Sequence, residues 1–165
     1  MKWKKVLPLI VLVIILAVGA SAAAASPKRT FVAPLSGAEE VADPEVETLA
    51  RGQAVFQLSM DGEELSYRLI VANLENVTMA HIHYGPAGTN GPVVAWLYPS
   101  APPPELIEGR FSGVLAEGTI TEDDLVGPLE GLSMSDLMHH IRMGHAYVNV
   151  HTLQFPAGEI RGQIR

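Results

Sequence analysis

Apolar and polar residues alternate along most of the chain after residue 29. In residues 52–60, Ala54, Phe56, Leu58 and Met60 fall on one face, and after Asp61-Gly62 the residues Leu65, Tyr67, Leu69 and Val71 alternate again. A period of two marks a half-buried strand, and Asp-Gly between two such runs predicts a β-hairpin. Similar runs predict strands over 30–35, 76–84, 93–98, 110–120, 146–152 and 159–165, the last two forming a second hairpin through Phe155-Pro156-Ala157-Gly158. Residues 38–49 are acidic, contain Pro44 and lack a period, so they read as a surface loop. The four prolines between Pro99 and Pro104 make that link stiff and unfit for a sheet interior. Helical signals come late. Thr121 precedes three acids, and Ser135-Asp136 stands before Leu137, Met138 and Ile141, with Gly144 as a stop. About eight short strands with one or two short helices inserted late predict an all-β, antiparallel sandwich or Greek-key barrel.

The same alternation sorts the histidines. In residues 79–84, His81 and His83 point one way, and Ala80, Ile82 and Tyr84 the other. In residues 147–152, Val148 and Val150 share one face, and Tyr147, Asn149 and His151 the other. With Ile82 and the two valines in the core, all three histidines face outward. If the two strands are neighbours, His81, His83 and His151 converge on one patch. Imidazole suits copper and zinc, so this patch is a candidate site for copper, or zinc, with Glu159, Tyr84 and Asn149 as supporting partners. Glu159 would lie near His151 and could also be a fourth ligand. The alternative is an ordinary polar surface of stacked histidines and cross-strand pairs. His139, His140 and His145 read as an exposed helix surface, because adjacent helical residues point about 100° apart.

Composition narrows the setting. Residues 1–5 are basic, 6–20 almost wholly apolar, and 20–26 small, which is the order of a secretory signal peptide. Cleavage after Ala22 or Ala25 fits; an uncleaved membrane anchor is the competing reading, and the only route to a membrane that the sequence suggests. The remaining domain spans 26–165. Without Lys2, Lys4 and Lys5 it has 8 basic against 18 acidic residues. So acidic a domain is a poor partner for nucleic acid. There is no cysteine, so neither a disulfide nor a lipid-modified cysteine is available. No nucleophile elbow and no phosphate-cradling loop appears, because the glycine-rich 85–91 leads into a strand rather than a helix.

Several segments together resemble the CHRD domain family, named for chordin: residues 35–41 (LSGAEEV), 80–88 (AHIHYGPAG), 146–152 (AYVNVHT) and 155–164 (FPAGEIRGQI). The resemblance covers residues 31–165. The link 42–47 departs from it, being longer and more acidic than the family's. The resemblance implies an immunoglobulin-like β-barrel with weak similarity to copper/zinc superoxide dismutases. It implies an exported protein, secreted or in the periplasm or cell envelope, that binds an extracytoplasmic protein or matrix component. It implies no enzymatic activity. The dismutase similarity points to His81 and His83 as a His-x-His copper pair; His151 rests on the strand argument alone. A working dismutase is disfavoured, because the chain lacks that family's disulfide and its His/Asp-rich loop, and carries net negative charge. The expected function is a non-catalytic binding or structural module, with copper binding as the alternative.

Overall fold

The computed structural model describes Met1 and residues 28–165; the segment read as a signal peptide lies outside the described residues. The elements run β1 (Thr30–Ser36), β2 (Arg51–Leu58), β3 (Leu65–Tyr84), β4 (Val93–Tyr98), β5 (Ile107–Ile120), α1 (Met134–Arg142), β6 (Ala146–Thr152) and β7 (Ile160–Gln163). Every pairing between these strands is antiparallel. The order β2-β1-β7-β6-β3-β4, with β2 also pairing β3, closes the sheet like a barrel. All of this closure lies between Thr30 and Gln163. Among the described residues, no helix is long and apolar enough to cross a membrane.

The closure depends on β3. The expected hairpin return strand and the expected histidine strand are one strand of 20 residues, so the described fold has seven strands rather than eight. Its first half pairs with β2 and β5; its second half pairs with β6 and β4. Between the halves, Asn73 (φ 61°) and Asn76 (φ 54°) take left-handed backbone, which asparagine tolerates better than most residues. The strand therefore bends there without ending. That bend carries the chain from one part of the barrel to the other and places His81 and His83 beside β6.

The alternating residues fill the interior as expected: Phe56, Leu69, Leu74, Ile82, Val148 and Ile160 are buried. Met60 is a correction. It does not continue the core face of β2 but sits in the turn after Leu58, 91% exposed. Gly62 in that turn has φ +84° and open space around it, so Gly62→Ala would meet no clash but would force alanine into left-handed backbone. We expect a loss of about 1 kcal/mol in chemical denaturation.

Helix α1 buries Leu137, Met138 and Ile141. It begins two residues earlier than Ser135-Asp136 suggested. Asp136 accepts hydrogen bonds from the backbone N–H and the hydroxyl of Ser133, which is the N-cap. The acids after Thr121 form only a short 3-10 turn.

Candidate metal centre

Strand β6 lies beside the second half of β3, as the convergence of the histidines requires. The register sets His81 opposite Asn149, His83 opposite Tyr147 and Met79 opposite His151. Beyond β6, Arg161 is opposite Asn149 and Gln163 opposite Tyr147. On the other flank Trp96 is opposite His81. These side chains form a polar layer on the side of the sheet away from the apolar interior.

That layer is not the exposed patch that alternation suggested. His81, His83 and His151 are only 2%, 8% and 5% exposed. Loops fold over them. Arg161, itself buried, donates to the side-chain oxygen of Asn90 (3.1 Å) and the carbonyl of Thr89 (2.9 Å). Its guanidinium also lies 3.4 Å from the Tyr147 ring centroid. Tyr147 in turn stacks on His83, with centroids 4.9 Å apart and planes within 10°. Gln163 donates to the carbonyls of Gly85 (2.9 Å) and Gly144 (2.6 Å). Together these bonds fasten the 85–91 loop above the histidines.

The covering loops also fix the rings. His83 Nδ1 is 2.9 Å from the carbonyl of Gly91, and His151 Nδ1 is 3.1 Å from the carbonyl of Pro156. A carbonyl only accepts, so both Nδ1 atoms carry the proton and both Nε2 atoms present a lone pair. His81 Nδ1 lies 3.3 Å from His151 Nε2. One ligating nitrogen from each of the three residues can be chosen so that all lie within 4.8 Å of one another. Two nitrogens bound to one tetrahedral ion at about 2.0–2.1 Å are themselves about 3.3 Å apart. An Nδ1–H held by a carbonyl is also the outer bond that a metal-binding histidine ordinarily makes.

Electrostatics keep the rings neutral. Burial, then His151 and His83, lowers the pKa of His81 to about 3. Burial lowers His151 to about 4 against the opposing bond to Pro156, and it lowers His83 as well. Neutral imidazole is the form that ligates a metal. Among the described residues, the buried side-chain polar atoms without a hydrogen-bond partner are His81 Nε2, His83 Nε2, Glu40 Oε1 and Asn149 Oδ1. Two belong to the histidines, and Asn149 links the other two to the same layer. An orphaned buried polar atom costs about 1–3 kcal/mol, so their concentration in one layer calls for a partner. For His83 Nε2, a cation could be such a partner.

The supporting residues divide. Asn149 belongs to the layer, and its amide donates to Glu40 Oε2 at 3.4 Å. Tyr84 does not: it points away from the triad and packs on His140 with centroids 4.3 Å apart, because alternation sends residues 83 and 84 to opposite faces. Glu159 is buried but accepts from Thr48 (2.7 Å) and Thr152 (2.8 Å), and does not join the converging nitrogens. His151 precedes Thr152, so alternation gives the carboxylate to the threonine instead of the imidazole.

Sequence reasoning missed Glu40, which fell in the loop read as a solvated face. Burial raises its pKa to about 7, with Arg161 and Asn149 pulling the other way. The aperiodic loop gave no signal for it. Arg161 and Gln163 could have been found, since they share a strand face beside Asn149. Glu40 also yields a test. Its folded pKa exceeds its unfolded value of 4.5, so its contribution to stability is fully present below pH 4.5 and is lost as pH rises through about 7. Glu40→Gln removes that loss. We expect the variant to gain about 1 kcal/mol on wild type between pH 5 and pH 8 in urea titrations, a value discounted for partial solvation.

Residues 31–164 match the family model of the CHRD domain. The chain belongs to the CHRD-domain family. No curated protein and no solved structure matches this CHRD chain significantly. Within the matched span fall all three histidines, Glu40 and Arg161.

Proposed function

We propose that this CHRD chain is an exported binding module built around a copper site, with His81, His83 and His151 as ligands. The observation that carries this reading is the convergence of three neutral imidazoles, two of them held at Nδ1 by backbone carbonyls, which leaves their Nε2 lone pairs free to ligate. The ligand atoms are His83 Nε2, His151 Nε2 and His81 Nδ1. A set of three imidazoles without thiolate suits copper and zinc, and among divalent first-row ions copper binds such sites most tightly. When bound, the metal would supply a redox-capable or Lewis-acidic centre. The protein supplies the ligands, their tautomers and a cover that limits water. The reading includes no catalytic step.

Export is supported by the order of basic, apolar and small residues before residue 26. The immunoglobulin-like character of the barrel belongs to the same reading: a rigid sheet whose outer layer holds a ligand. The test is equilibrium dialysis of the chain from Ser26 against equal Cu(II) and Zn(II), with metal counted by atomic emission. One copper per chain, displacing zinc and absent in His151→Ala, supports the reading. Equal metal in wild type and variant overturns it.

A further inference from the structure

We infer that Trp96 is a positioning residue of the copper site: the face of its indole accepts the ring N–H that His81 must carry at Nε2 once its Nδ1 binds the metal. This role rests on the copper reading above and names the residue that sets the third ligand.

His81 differs from its two neighbours. Backbone carbonyls hold a proton on Nδ1 of His83 and of His151 and leave each Nε2 free. Among the described residues, no carbonyl holds His81. Its Nδ1 lies 3.3 Å from His151 Nε2, which has only a lone pair to offer. In the metal-free chain the proton therefore sits on His81 Nδ1 and is donated to His151. A metal that takes a lone pair from both atoms cannot bind while that proton is between them. Moving it to Nε2 of the same ring keeps the imidazole neutral and releases no net proton. Yet His81 Nε2 is buried without a hydrogen-bond partner, and an N–H left bare there is costly.

Trp96 stands where the acceptor is needed. Strands β6 and β4 pair with opposite edges of β3, so His151 and Trp96 flank His81 from opposite sides. With Nδ1 aimed at His151, Nε2 falls on the half of the ring nearer β4. The His81 and Trp96 rings are close to perpendicular, at 86°, with centroids 4.2 Å apart. Both histidine neighbours of His81 are farther, at 5.1 Å and 5.5 Å. An imidazole edge above an indole face is the arrangement in which an N–H meets the negative π cloud. The strand neighbours Ala95 and Leu97 are buried in the core, while Trp96 stays only partly buried, on the polar layer. Core packing alone does not account for a tryptophan there.

Nitrogen NMR of the ¹⁵N-histidine chain from Ser26 tests this, with Zn(II) as a diamagnetic ion suited to the same imidazoles. Before metal, the His81 proton is expected on Nδ1. After one equivalent it is expected on Nε2, with its ¹H signal moved upfield by the indole ring current. Trp96→Leu should abolish the upfield shift and weaken Cu(II) binding about tenfold, and Trp96→Phe, which keeps a π face, should recover most of the affinity. A Trp96 that only packs would change the urea midpoint of both variants and leave the affinity of the folded chain alone. An unshifted Nε2–H in zinc-loaded wild type, or Cu(II) held as tightly by Trp96→Leu as by wild type, overturns the inference and leaves the copper reading standing. Histidine signals that neither shift with Zn(II) nor broaden with Cu(II) overturn the copper reading, and the inference with it. If Trp96→Leu folds poorly, the wild-type signal and Trp96→Phe decide.

Discussion

Copper(II) added to the metal-free chain is expected to bind one ion per chain and to raise the melting temperature by about 10 °C when free metal stands at about a thousand times the dissociation constant. The increase arises because the site exists only in the folded state. In the unfolded chain His81 and His151 are 70 residues apart, and the ring nitrogens lose their carbonyl anchors. Mass action then gives about 4 kcal/mol of stabilisation at that excess. His83→Ala should remove most of the increase, since the two remaining imidazoles no longer enclose the ion. The measurement is calorimetry of wild type and variant with and without metal. Acid bears on the same site. Burial holds the native histidines well below their ordinary 6.5, with His81 at about 3 and His151 at about 4. Between about pH 6.5 and pH 4 the unfolded chain takes up protons that the native chain refuses, so the metal-free protein loses stability as pH falls. Protons compete less for the folded site, so copper should stay bound at pH 5.

Arg161→Met should lower folding stability by about 2–4 kcal/mol and weaken copper binding by about 10–100-fold. The guanidinium bonds to Asn90 and Thr89 and covers Tyr147, which stacks on His83. Those contacts hold the loop that offers the Gly91 carbonyl to His83 Nδ1 and the Gly91 N–H to the Tyr147 hydroxyl. Without Arg161 the loop acceptors lose their donor and the His83 ring loses its fixed tautomer. A purely structural arginine would change the urea midpoint alone. A positioning arginine also changes the ¹⁵N shifts that report the His83 tautomer, at temperatures where the variant remains folded. Arg161→Lys restores charge but not the planar fork, so it should recover little of either.

Much of the site was legible before the structure. The two-residue spacing of His81 and His83 fixed their common face, and Val148 and Val150 fixed the face of His151. Neighbouring strands then brought the rings together. Burial was not legible, because the cover comes from loops whose path depends on contacts distant in sequence, such as Arg161 with Thr89. Glu40 was invisible for the same reason: an acidic loop without periodicity offers no clue that one of its carboxylates is half-buried, with Oε1 shielded from solvent. The fusion of two expected strands into β3 was hidden by Asn73 and Asn76, which read as turn residues but here only bend the strand. Met60 continued the alternation on paper, while the Asp-Gly turn ended the strand two residues earlier.

The most direct test of the copper reading is electron paramagnetic resonance of the ¹⁵N-histidine chain loaded with one equivalent of Cu(II). The account predicts hyperfine coupling from three imidazole nitrogens in wild type, altered in His81→Ala and His83→Ala and unchanged when His139 and His140 are both replaced by alanine. A wild-type signal that survives loss of His83 but disappears with His139 and His140 would place the metal on the surface helix and contradict it.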